Sequence, residues 1–313
     1  MEPSPQNILF RVPPGAIHEI RKIHNLEKPG RMEQAVSILE SWILKQNHII
    51  NKDFKKEYLE LTLISCKGSV EKAKKQIDRL CTMKALLPKF FSKTNVMMEL
   101  QDLLKIGKLA PLPILTDDFY RIFLIQLNNT EVTSESLMHY FQYITIFAEY
   151  MKVNDYFNGV IIFYDLRQLD LYDLIKEINA VELQQILTIL MEGYGARLKN
   201  IHLLTESKAI EILVNILKKF LSEKIGARIH VQRTLEDVYK EIPKELLPMD
   251  YGGDQRSMDA LHADVVQELS SPKHVEYVKM MFKACTDETK RHAGNFNEEY
   301  MGMPGSFRCL SVD

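Results

Sequence analysis

A chain of 313 residues with 46% hydrophobic and 26% charged side chains can bury a sizeable core without a disulfide or metal staple. Its formal net charge of −2 excludes a global basic field of the kind that draws proteins to nucleic acid, so attraction to an anionic surface must come from a local basic patch. No apolar run reaches the ~18 residues of a membrane-spanning helix, and the cysteines (Cys66, Cys81, Cys285, Cys309) have neither CxxC nor zinc-ligand spacing, which predicts reduced thiols and no metal.

The N-terminal stretch has Pro3 and Pro5 where a signal peptide needs its apolar segment, so it reads as a loop and the expected location is cytoplasmic. Residues 1–105 are lysine-rich and helical in pattern. Val36, Leu39, Trp42 and Ile43 recur at helical spacing, as do Val70, Ala73, Ile77 and Leu80, with Lys72, Lys74, Lys75 and Asp78 expected on the solvent face. Pro111 and Pro113 then punctuate the chain. Four apolar runs follow, at 119–127, 159–166, 200–204 and 227–232, rich in Ile, Leu, Val and Phe as strands buried on both faces are. Helical segments alternate with them: an aromatic one at 136–153, one through Leu183, Ile186, Leu187, Leu190 and Tyr194, and one at 207–225. This alternation predicts an α/β fold with a mostly parallel sheet over 106–255, preceded by the helical segment. Residues 256–313 should add one helix, through 265–269 or 275–282, and an irregular tail.

Signatures of catalysis and of cofactor binding are missing. The chain has no GxGxxG after a strand, no GxxxxGK[ST], no HExxH and no GxSxG, so no cofactor and no enzyme activity are expected. His202 and His230 fall inside strand runs and read as hydrogen-bonded core histidines. Asp165, Asp170 and Asp173 cluster after a strand, where α/β sheets often place a site, but a solvated strand-to-helix turn explains them as well.

The segment 207–225 is more informative. At 100° per residue its polar side chains (Lys208, Glu211, Asn215, Lys218, Lys219, Ser222, Glu223) fall within an arc of roughly 140°. The remaining arc of roughly 200° is apolar, wider than packing on one sheet requires. Two readings follow: a helix covered on both sides, or a lid between an apolar cavity and a lipid surface. Arg197, Lys199, Lys224 and Arg228 flank it and would converge in a βαβ unit, a solvated face or a means of recognising anionic membranes.

The run Asn158-Gly159-Val160-Ile161-Ile162-Phe163-Tyr164-Asp165-Leu166 resembles the strand that opens the CRAL-TRIO (Sec14-like) lipid-binding core. Arg197-Leu198-Lys199-Asn200-Ile201-His202-Leu203-Leu204, the 207–225 segment and Ala227-Arg228-Ile229-His230-Val231 follow in the family's order. Leu246-Leu247-Pro248-Met249-Asp250-Tyr251-Gly252-Gly253 is similar to its LPxxYGG end. Cys66-Lys67-Gly68-Ser69-Val70-Glu71-Lys72-Ala73-Lys74 resembles the family's N-terminal helical subdomain, and Gly305-Ser306-Phe307-Arg308 the tail of the tocopherol-transfer-protein-like branch common in insects. Leu61 and Ile64 depart from that pattern, standing where the N-terminal subdomain commonly has arginines; Gly195 stands where proline is frequent.

The resemblance implies an α/β sandwich whose sheet floors a lipid pocket closed by a mobile gate helix, here the 207–225 segment. It also implies docking on phosphoinositide headgroups through Arg197, Lys199, Lys224 and Arg228. The expected pocket residues are Ile210, Leu213, Val214 and Leu217 on the gate, and Gln142, Tyr143, Ile146 and Phe147 on the aromatic helix. Val160, Tyr164, Ile186, Leu190 and Tyr194 complete it, with Gln142, Tyr143 and Tyr164 able to orient a polar ligand end. The expected partners are one apolar small molecule and a phosphoinositide-containing membrane bound peripherally. The expected activity is ligand transfer, and the alternative is a lipid-sensing adaptor that delivers nothing.

Overall fold

The computed structural model describes residues 7–128 and 132–291. Helices come first: α1 (Ala16–Ile23), α2 (Arg31–Leu44), α3 (Lys56–Ser65), α4 (Val70–Leu86) and the single turns α5 (Val96–Glu99) and α6 (Leu103–Ile106). Strands β1 (Gly107–Pro111), β2 (Tyr120–Leu127), β3 (Gly159–Asp165), β4 (Leu198–Leu204) and β5 (Ile229–Gln232) form one sheet. Between the strands run α7 (Ser134–Asn154), α8 (Leu171–Glu177), α9 (Ala180–Thr188), α10 (Ile210–Phe220) and α11 (Glu223–Gly226). After the sheet come α12 (Leu235–Tyr239), α13 (Met258–Leu269) and α14 (Pro272–Phe282).

The strand order is β1-β2-β3-β4-β5, with β1 antiparallel to β2 and every other pairing parallel. The four apolar runs supply β2 to β5. The edge strand β1 was not expected, being short, carrying Lys108 and ending at Pro111. Proline fits there because an edge strand need not donate from every backbone nitrogen. The tail holds two helices instead of one; Ser257 caps α13 through Ala260 N, and Ser271 caps α14 through His274 N, with Pro272 opening the latter. The Gly305–Arg308 motif lies outside the described residues.

One core joins the sheet to α7, α10 and α13, and a second joins α2, α3 and α4 to α9. Buried ion pairs tie these layers together. Arg121 of β2 grips Asp155 with Nε at 2.8 Å and Nη2 at 2.7 Å, both side chains wholly buried. Lys84 of α4 meets Glu149 of α7 at 2.8 Å. Asp78 is a correction: expected on a solvent face, it is 5% exposed and accepts from His48 Nε2 at 2.6 Å and Arg291 Nη1 at 2.7 Å. A carboxylate on a helix has the same local pattern whether the counter-charge arrives from water or from a distant segment. His202 is buried beside Gln232 Nε2 at 3.1 Å, and burial pushes its pKa down to about 4.

The LPxxYGG segment is anchored to β3. Tyr251 donates its hydroxyl to Asp165 Oδ2 at 2.8 Å, and the Tyr251 and Phe163 rings meet edge-on with centroids 5.7 Å apart. Gly253 is required by space, since a Cβ there would overlap the carbonyl oxygen of Leu247. Its neighbour Gly252 has φ +70°, a conformation natural to glycine.

Candidate functional site

A cavity lies between one face of the sheet and the helices, giving the centre of a water-sized sphere about 170 Å³. That is room for on the order of a dozen waters, or one small apolar molecule. Strand alternation builds the floor: Val160, Ile162 and Tyr164 of β3 face the cavity, joined by Phe123 and Ile125 of β2, Leu109 of β1 and Leu198 of β4. The roof is a stripe of α7, Tyr140, Ile144, Phe147, Ala148, Met151 and Lys152, whose spacing keeps one helix face inward. Leu61, Ile64 and Ser65 of α3 close one side. Leu190 and Met191, from the π-helical turn Ile189–Gly193, close another, and the chain from Tyr194 to Leu198 follows them.

Of the expected pocket residues, Phe147, Val160, Tyr164, Leu190 and Tyr194 line this cavity. Gln142 does not: its amide donates to Lys89 O at 2.8 Å and Ser92 Oγ at 3.0 Å, fixing the short 3₁₀ turn Pro88–Phe91 and the residue after it to α7. Tyr143 lies on a separate small crevice with Leu103, Leu127 and His262. Ile146 is fully buried in the sheet-side core and Ile186 in the helical core. Packing on every side of α7 explains the difference, because each face of the helix reads as apolar but meets a different neighbour.

The expected gate is shorter than 207–225. Leu221 takes an extended conformation (φ −96°, ψ 147°) that ends α10 at Phe220, and α11 is a separate turn. Ile210 and Leu213 are buried in the sheet-side core, whereas Val214 and Leu217 are half-buried. None of the four touches the cavity wall. Leu217 packs against both cores, so α10 bridges them.

The four basic residues do not form one free face. Arg197 turns inward to the cavity wall, where its Nη1 donates to Asn158 Oδ1 at 2.9 Å and lies 2.9 Å from His24 Nε2. His24 Nε2 also lies 3.0 Å from Asn158 Oδ1, and burial, then the neighbouring guanidinium, holds the His24 pKa down against that hydrogen bond. Lys199 pairs with Asp118 at 2.6 Å over the ring of Tyr120. Arg228 donates to the Leu198 carbonyl, and Lys224 is exposed.

The cavity is polar at its two ends. Tyr140 and Tyr164 share a hydroxyl–hydroxyl hydrogen bond of 2.9 Å at one. At the other stand Arg197, Asn158 and Lys152, whose Nζ donates to Thr62 Oγ1 at 3.0 Å. Sequence reasoning passed over Lys152, yet its signal was present: it sits on the same helical stripe as Tyr140, Ile144, Phe147 and Ala148. Leu61 and Ile64 are accounted for too, as apolar wall where arginines would put charge against the cavity.

A five-stranded sheet flooring an apolar cavity under a long helix, with an amphipathic helix beside it, defines a Sec14-like binding fold. Residues 116–253 match the family model for the CRAL/TRIO domain, and residues 28–100 that for a Pinta-like UBA domain. Residues 116–253 are therefore a CRAL/TRIO domain, within a chain of Sec14-like fold. An alpha-tocopherol transfer protein-like protein of Mus musculus is 26% identical over 129 residues, 41% of this chain and 37% of the relative. Its Homo sapiens counterpart matches to the same extent, 26% over 129 residues. The match thus spans little more than a third of these relatives' own length. The crystal structure of Sfh5 shares the fold, with a TM-score of 0.55 at 10% identity, covering 80% of this chain and 96% of that one.

Proposed function

We propose that the protein is a carrier that takes one apolar small molecule into this cavity and exchanges it at membranes without catalysis. The observation that carries the reading is the cavity itself, walled by apolar side chains from four strands, α3 and α7. The carboxylates after β3 favour it, each having a structural use. Asp165 is held by Arg167 and Tyr251, Asp170 caps α8, and Asp173 pairs with Lys176. Among the described residues no helix is long and apolar enough to cross a membrane, which fits a peripheral mode of contact.

Docking on phosphoinositide headgroups belongs to the same proposal, with its basic residues redrawn. Lys218 and Lys219 at the end of α10 and Lys224 on α11 are exposed, and the Lys218 stem lies against Gly226. Ile212 of α10 is 47% exposed and would enter the lipid boundary beside these charges. Lys199 is paired with Asp118 and Arg228 with the Leu198 carbonyl, while Arg197 belongs to the cavity.

The test is transfer of a fluorescent apolar lipid analogue from donor to acceptor vesicles containing phosphatidylinositol phosphates. A carrier accelerates it; vesicle binding without acceleration would make the protein an adaptor instead. Reversing Lys218, Lys219 and Lys224 to Glu should weaken vesicle binding on the order of a hundredfold, at about 1 kcal/mol per basic residue. Vesicle binding that survives the triple change would remove the docking face.

A further inference from the structure

One end of the cavity holds two cations and no anion. Lys152 is 5% exposed, and its Nζ bonds to the neutral hydroxyl of Thr62. Arg197 bonds to the neutral Asn158 and His24. Among the described residues no carboxylate lies within ion-pair distance of either group. Glu149 exerts a field on Lys152 but forms no ion pair with it: its Oε1 is taken by Lys84 Nζ at 2.8 Å and the Tyr194 hydroxyl at 2.8 Å, and its buried Oε2 has no hydrogen-bond partner.

An ammonium has three N–H donors and no acceptor, and a buried charge is costly unless it is paired. Its Nζ stands 5.2 Å over the Tyr58 ring and makes one hydrogen bond, to Thr62, so Lys152, whose side chain lines the cavity, keeps donors to offer there. Its surroundings also define the shape of what it would meet. Tyr140 and Lys152 are twelve residues apart on α7, about 18 Å along the axis. The interval is apolar, with Ile144, Phe147, Ile162 and Val160, and it ends in the neutral Tyr140–Tyr164 pair. An alcohol, ester or aldehyde would leave the buried Lys152 uncompensated, whereas a carboxylate compensates it. Room for on the order of a dozen waters suits one slender chain and not a two-chain phospholipid.

We propose that the cavity selects elongated apolar carboxylic acids, the carboxylate pairing with Lys152 and the chain running along α7 toward Tyr140 and Tyr164. The proposal rests on the carrier reading and sharpens it to a ligand class.

The experiment uses the delipidated full chain with two probes, cis-parinaric acid and its methyl ester, titrated by fluorescence at pH 7. The acid should bind at least tenfold more tightly than the ester. Lys152→Met should weaken acid binding by tenfold or more and leave ester binding unchanged, abolishing the preference. Equal affinity of the wild-type protein for acid and ester would overturn the acid proposal and leave the carrier reading standing. A wild-type protein that binds neither probe and transfers no apolar lipid analogue would overturn both. Acid preference retained in folded Lys152→Met would also overturn the assignment to Lys152. Should that variant not fold, the acid-to-ester ratio of the wild-type protein decides alone.

Discussion

Lys152 should destabilise the ligand-free protein at neutral pH, and removing its charge should stabilise it. Burial drives the Lys152 pKa down from 10.5 to about 8, the opposing pull of Glu149 and Cys66 being weaker. A fall of that size corresponds to about 3 kcal/mol, at about 1.4 kcal/mol per tenfold change in proton affinity. The sign follows from proton counts. Below pH 8 both folded and unfolded chains carry the proton, and the folded state bears the full cost. Between 8 and 10.5 the unfolded chain holds more protons, so this contribution to stability rises with pH and is complete above 10.5. Methionine keeps most of the stem and removes the ammonium, and Thr62 stays satisfied because its hydroxyl donates to Tyr58 O at 2.8 Å. Urea unfolding of delipidated wild type and Lys152→Met should therefore show the variant more stable by up to about 3 kcal/mol at pH 7. The margin should close as pH rises through 8 to 10.5. A variant less stable than wild type at pH 7, with an unchanged denaturant slope, would mean that Lys152 is effectively paired and that the reasoning fails.

Two further substitutions probe the frame around the cavity. Leu217→Asp would put a carboxylate where α10 meets both cores, and ligand off-rates measured by stopped flow should rise tenfold or more, about 1.4 kcal/mol, while Lys218→Asp on the exposed side changes them little. Equal off-rates for folded wild type and Leu217→Asp would show that α10 does not control release. Arg121→Met would strand Asp155 as a buried, unpaired carboxylate and should cost about 3–5 kcal/mol in urea unfolding; a loss below about 1 kcal/mol would show that the pair is dispensable.

The order of apolar runs and helical segments was enough to define the α/β class and the parallel strands β2 to β5, because periodicity and length are properties of the chain itself. The same holds for the family motifs: Tyr251 and the two following glycines are demanded by local space and by contact with β3. Direction was not available from the sequence. A helix wrapped on every side, like α7, shows apolar residues all round, so Gln142, Tyr143 and Ile146 looked as fit for the cavity as Phe147. Only packing chose the stripe that ends at Lys152. Along β3 the alternation of faces was likewise hidden, since Val160 and Ile161 are both buried though only Val160 meets the cavity. Charges followed the same rule. Arg197 sits two residues from Lys199, yet one turns to Asn158 and His24 in the interior and the other to Asp118 at the surface. A sequence specifies which side chains carry charge, whereas the dielectric and the partner each charge meets come from residues tens of positions away or more. Lys152 acquires its character in that way, from Thr62 and the wall of α3, brought to it only when the helical layer closes over the sheet.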